Sequence, residues 1–162
     1  MTGVQTCALP IYEKHYLTSV SLEITQTILD WSSGFTTDLM KRLEPNIEQE
    51  DQMALSYNIQ SEAICYFYFL FSLKLIPVLS KDRYKIVQDR ISDILSKTIV
   101  EFFFKGAEDA KEQFACSFKE GFAPTMLEYF NMGKAINAKN EFVTAVTWFA
   151  HRLSKKVNID MD

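Results

Sequence analysis

The chain has 162 residues, of which 48% are hydrophobic, 14% aromatic and 23% charged; this excludes a disordered or collagen-like chain and leaves room for one domain with a substantial core. Seventeen Lys and Arg against 21 Asp and Glu give a net charge of -4, so the basic surplus that nucleic-acid binding uses is missing. Five Gly and four Pro leave little punctuation and point to long helices, while three Cys argue against a disulfide framework and for a reducing compartment.

The first eleven residues, MTGVQTCALPI, resemble the translation of a common sequencing adapter. They are set apart from fold reasoning as one sets apart a tag. A signal peptide is the rival, but the segment has no basic n-region and its apolar stretch is too short. The expectation is that residues 1–11 are non-native, that natural chain before Tyr12 is missing, and that residues 12–162 form part of one larger domain. Cys7 then leaves the cysteine count.

Residues 12–31 carry Tyr16, Val20, Ile24, Ile28 and Trp31 at helical spacing, which predicts an amphipathic helix packing on that face. Gly34 weakens it, and residues 35–43 either continue it or restart it at Thr36. Pro45 with Glu48, Glu50 and Asp51 suits a link or a new first turn. Residues 53–79 are the most hydrophobic segment. The run from Ala63 to Phe71 is apolar on every face, so this helix should be central. A membrane span needs ~20 apolar residues, and Glu62, Lys74 and Pro77 interrupt the run too early for that.

Ser80 is placed to cap the next helix, where Tyr84, Val87, Ile91, Ile94, Leu95, Thr98 and Phe102 keep the period and Gly106 marks the stop. Ala110, Phe114 and Phe118 follow in residues 107–122. Pro124 is expected to start a separate helix carrying Leu127 and Phe130. Phe142, Ala145, Val146, Phe149 and Leu153 form the last periodic stretch, and residues 158–162 are a mostly polar tail. No alternating pattern with turn signals suggests a strand. The predicted fold is all-α: a tetratricopeptide-like solenoid or bundle of about five to seven antiparallel helices without a sheet.

Motifs for catalysis, metal or cofactor are not found. His15 and His151 lack ligand-type neighbours, no HExxH or ExxH pattern occurs, and no phosphate-binding glycine loop or nucleophile elbow is present. Cys65 and Cys116 sit among aromatics and read as buried, inert thiols. The chain is therefore expected not to be an enzyme and to need no cofactor. Tyr129, Met132, Gly133, Ile136, Phe142, Ala145 and Phe149 have the spacing of a tetratricopeptide-type hairpin, with Gly133 and Ala145 allowing close helix approach. Arg152 and Val157 depart from that repeat, which favours a small residue and a proline.

Residues 12–162 also resemble the middle of a Bro-one domain, the ALIX and Brox type of endosomal scaffold. Trp31-Ser32-Ser33-Gly34-Phe35 followed by Leu39 is similar to an early family segment. The stretch from Leu55 through Gln60-Ser61-Glu62-Ala63, the series Ile91, Leu95, Glu101-Phe102-Phe103, and the hairpin after Pro124 resemble later ones. Glu62-Ala63 stands where the family has Gln-Glu. The resemblance implies a helical scaffold, cytoplasmic and peripheral to endosomes. It implies as partner the C-terminal amphipathic helix of an ESCRT-III subunit, bound on an apolar patch. By motif matching, Ile91 and Leu95 fall on patch positions, and a third falls at Cys65 or Tyr66. Peripheral association of the parent protein with endosomal membrane, without a transmembrane span, is implied too. Two other readings stay open: a generic tetratricopeptide-like adaptor, and a helical small-ligand sensor with an enclosed cavity beside residues 66–71.

Overall fold

The computed structural model describes residues 11–43, 52–103, 108–135 and 141–157, with side chains left out at 11, 108–110, 133–135 and 141–144. Five helices account for nearly all of this: α1 Ile11–Leu43, α2 Gln52–Leu75, α3 Lys81–Phe103, α4 Glu108–Ala135 and α5 Glu141–Val157. No strand occurs among the described residues. The expectations for residues 1–10, Pro45, Glu48, Glu50, Asp51, Gly106, Ile136 and residues 158–162 lie outside the described residues. So do those for the side chains of Ala110, Gly133 and Phe142.

Helix α2 is the hub. It packs against all four other helices, while α1 also packs on α3, and α4 on both α3 and α5. A helix enclosed in this way needs apolar residues on every side. Ile59, Ala63, Ile64, Tyr68 and Phe69 are all essentially inaccessible. Rings from other helices fill the space around them: Tyr66 stacks on Phe149 at 4.4 Å, Phe69 stacks on Tyr129 at 5.3 Å, and Tyr68 meets Phe122 at 5.2 Å. Among the described residues no helix is long and apolar enough to cross a membrane. The hydrophobicity of α2 serves the core.

Helix α1 runs unbroken through Gly34. A side chain at Gly34 would meet nothing, so this glycine costs only intrinsic helix propensity, about 1 kcal/mol against Ala. The packing face differs from the expected one. Tyr16 and Trp31 are exposed, and the buried stripe is Leu17, Ser21, Ile24, Thr25, Ile28, Ser32, Thr36 and Met40. Ser21, Thr25 and Ser32 can line a core because each satisfies its donor on the preceding turn, whereas the buried Thr36 Oγ1 has no hydrogen-bond partner among the described residues. Ser21 donates to the Leu17 carbonyl and Thr25 to the Ser21 carbonyl, both at 2.7 Å. Their small size lets α2 and α3 come close.

The α2–α3 connection follows local chemistry. Pro77 sits just past the end of α2, where the Ile76 amide still bonds the Ser72 carbonyl at 3.0 Å. Ser80 caps α3: its Oγ accepts from the Arg83 amide at 3.4 Å, and its carbonyl accepts from the Tyr84 amide at 2.9 Å. On α3 the buried stripe is Val87, Ile91, Leu95, Ser96, Ile99 and Val100. Thr98 and Phe102, expected on that face, are exposed.

A second correction concerns Pro124. It lies inside α4 and does not begin a new helix. Proline removes one amide donor and crowds the carbonyl four residues back. Here both Pro124 and Glu120 face solvent, where water hydrates the freed carbonyl. Meanwhile the buried series Phe118, Phe122, Met126 and Tyr129 continues across the proline and holds both halves to the core. Leu127 is exposed at 59%. In α5 the stripe is Ala145, Phe149 and Leu153, with Val146 outside it.

Candidate functional site

Two features stand out once the helices are in place: a buried ionic cluster joining α2, α4 and α5, and an open cleft where α1, α2 and α3 meet.

The cluster centres on Glu62, whose side chain is 0% exposed. Its two oxygens are fully engaged. Arg152 Nε donates to Oε1 at 2.6 Å and Arg152 Nη2 to Oε2 at 3.2 Å. Tyr129 donates its hydroxyl to Oε1 at 2.8 Å, and Lys156 Nζ lies 3.2 Å from Oε2. Arg152 also pairs with Glu128, donates to Thr125 Oγ1 at 3.3 Å, and lies 5.9 Å from the Tyr129 ring centre. Burial by itself pushes the Glu62 carboxyl up. The Arg152 hydrogen bonds, the Lys156 charge and the Tyr129 hydroxyl outweigh it and hold the group below its ordinary value. Burial and the Glu62 charge push the Tyr129 phenol up. Every member is occupied by another member, so the cluster is a latch between helices with no group turned toward a substrate. Glu62 and Arg152 are two of the positions where the sequence departs from the patterns it resembles, and here they bond each other.

The cleft runs along α1 from Gln26 to Lys41 in two joined lobes of about 630 and 240 Å³. Fifteen residues of rise make it about 22 Å long. Both lobes share Ser33, Gln60, Phe102 and Phe103. Leu29, Met40 and Ile99 give apolar floor; Gln26, Asp30, Lys41, Gln52 and Ser56 give a polar rim. Small residues open this space. Ser32 sits under Gln60, whose Nε2 donates to its Oγ at 3.3 Å, and Ser33 beside it leaves the gap between helices unfilled. At the mouth, Phe102 is 73% and Met53 63% exposed.

The partner-binding residues expected from sequence lie elsewhere. Ile91 and Leu95 are 0% exposed, Cys65 5% and Tyr66 7%. This corrects the surface-patch reading. The four-residue spacing that puts Ile91 and Leu95 on one helix face is equally the spacing of a core stripe, and in α3 that stripe continues through Val87 and Ile99. Tyr66 is covered by the Phe149 ring. The rings of Tyr66, Tyr68 and Phe69 pack against α4 and α5, and those of Phe67 and Phe71 against Trp31 of α1, which argues against their lining a ligand cavity. The cleft residues were missed because Phe102 and Thr98 fit the helical period almost as well as Phe103 and Ile99 do.

Cys116 is a further correction: it is exposed, while Cys65 is buried. Burial, and next the Glu62 charge, push the Cys65 thiol up to about 12. In a Cys7→Ser variant, Cys116 should react with an aromatic disulfide reagent in the folded state. Cys65 should react on the order of a hundredfold more slowly, until denaturant equalises the two. Equal rates in the folded protein would contradict the packing around Cys65.

Among the described residues no group of three or more His, Cys, Asp or Glu is placed to hold a metal ion. Compared with protein-family models, curated proteins and solved structures, the chain matches none.

Proposed function

We propose that this chain is a non-enzymatic protein-interaction scaffold that holds an amphipathic helix of a partner in the cleft between α1, α2 and α3. The observation that carries this reading is an apolar trough with polar rims and two large unpacked side chains, Met53 and Phe102, at its mouth. A partner helix with apolar anchors at i, i+3, i+4 and i+7 needs such a surface. About 22 Å is roughly four helical turns. Within the motif Trp31-Ser32-Ser33-Gly34-Phe35, which carries part of the resemblance to Bro-one domains, Ser33 lines both lobes of this trough. In keeping with that resemblance, the partner is the C-terminal helix of an ESCRT-III subunit, and the setting is the cytoplasmic face of endosomes. The cleft takes the place of the Ile91, Leu95, Cys65 and Tyr66 patch.

Fluorescence anisotropy with a labelled ESCRT-III C-terminal helix peptide tests this. The expected result is saturable binding that Phe102→Asp and Met53→Asp each weaken about tenfold or more, with unchanged circular dichroism because both side chains are exposed. Absence of binding by the folded chain would remove the ESCRT-III assignment in favour of a generic helical adaptor. Binding that both variants retain would remove the cleft.

A further inference from the structure

Buried hydroxyls follow one another along the inner face of α1, at Ser21, Thr25, Ser32 and Thr36. The first three donate to a carbonyl of the preceding turn. Thr36 does not. It is only 4% exposed, its Oγ1 has no hydrogen-bond partner among the described residues, and it lines the larger lobe of the cleft. Gln60, 8% exposed, lines both lobes. It spends one amide hydrogen on Ser32, and its carboxamide has a further hydrogen and a carbonyl oxygen to offer. Among the described residues lining the cleft, the charged ones are Asp30 and Lys41, and both are exposed at its rim.

We infer that the cleft selects a helix with a single asparagine or glutamine in its apolar face, whose carboxamide Thr36 and Gln60 receive. The inference rests on the helix-binding reading of the cleft and adds the chemistry by which the partner is chosen. A carboxamide presents a carbonyl that accepts from the Thr36 hydroxyl and an N–H that donates to Gln60 Oε1. A carboxylate would need a cation beside it at that depth, and the one lysine of the cleft stays at the rim. A serine or threonine on the partner helix would turn its hydroxyl to its own preceding turn, as Ser21 and Thr25 do here. A leucine would seal the Thr36 hydroxyl against apolar surface with its hydrogen bond unmade, which costs affinity. The pairing also sets register. Apolar anchors that repeat at each turn let a helix slide along the trough by about 5.4 Å, and one buried polar contact removes that freedom.

Selection from a displayed library of four-turn amphipathic helices tests this, with Leu, Ile, Phe, Asn and Gln allowed at every apolar-face position and the full chain as bait. Sequences that the Phe102→Asp chain also captures are discarded. The expected result is enrichment of helices with one Asn or Gln at a fixed position among apolar residues. Replacing that residue by Leu in a synthetic peptide should weaken binding about tenfold. With Thr36→Val the difference between the two peptides should vanish, as a double-mutant cycle reads it. Thr36→Val loses no hydrogen bond within the described chain, so its melting temperature should equal or exceed that of the wild type. Wholly apolar enriched helices, or the same carboxamide preference on Thr36→Val, would overturn this inference and leave the cleft as the binding site. A melting temperature lowered by Thr36→Val would overturn it too, by showing that the hydroxyl is bonded within the chain. Enrichment of nothing that Phe102→Asp loses would overturn the cleft reading itself, and this inference with it.

Discussion

Arg152→Ala should destabilise the fold by about 3–5 kcal/mol, the range for breaking one side of a buried ion pair. The reason is what remains behind. Glu62 has no exposed surface, and removing Arg152 takes away two of its hydrogen bonds and the closest charge. Lys156, itself 36% exposed, and the Tyr129 hydroxyl do not replace a bidentate guanidinium. Replacing both residues, as in Glu62→Met with Arg152→Met, should cost less than Arg152→Ala alone, because no unpaired charge is left in the interior. Urea unfolding of the two variants and wild type measures this. A double variant weaker than the single one would mean that the pair contributes mainly by its own attraction.

The same carboxylate makes stability depend on pH. Its folded value is lowered from the unfolded-chain value of 4.5, so the unfolded chain takes up the proton more readily than the folded one. The contribution is complete above about that value and is lost as pH falls through it toward the lower folded value. Glu62→Gln should therefore flatten the acid side of the stability curve while lowering the plateau at neutral pH. An acid limb unchanged by Glu62→Gln would assign the pH dependence to other carboxylates.

Ile91→Asp is expected to abolish the cooperative thermal transition. A carboxylate would sit at a fully enclosed site within the hydrophobic core. Such substitutions cost more than about 4 kcal/mol, a large part of the 5–15 kcal/mol by which domains are ordinarily stable. Ile91→Ala removes volume without adding charge and should cost about 2–5 kcal/mol while leaving a folded protein. The pair of variants separates core from surface. A folded Ile91→Asp with normal circular dichroism would mean that this face of α3 is open and would reinstate Ile91 and Leu95 as binding residues.

These expectations separate what local pattern specifies from what packing specifies. Ser80 as a cap and the all-round hydrophobicity of Ala63 to Phe71 are properties of a few neighbouring residues, and each appears in the structure as read. On α1 periodicity assigned Tyr16 and Trp31 to the core. Hydropathy carries no sign that Ser21, Thr25 and Ser32 bond their own helix and so bury at little cost. Pro124 looked like a boundary because its local effect favours one. The buried aromatic series on either side of it outweighs that effect.

For the candidate site the division is sharper. The residues of the Glu62 cluster come from three helices, up to 94 positions apart, and no spacing rule relates them. Their signal was present only as two departures from familiar patterns. The cleft depends on which side chains fail to meet, and that is a property of helix approach. Thus the amino-acid order by itself determined helix content, the central place of α2 and the cap of α3, because hydrogen bonding and hydropathy act within a few residues. Tertiary structure alone decided which of two nearly equivalent helical faces turned inward, that Ile91, Leu95, Cys65 and Tyr66 became core, and that Phe102 stayed outside. Those outcomes follow from competition between surfaces for the same neighbours, which begins only when all five helices are in contact.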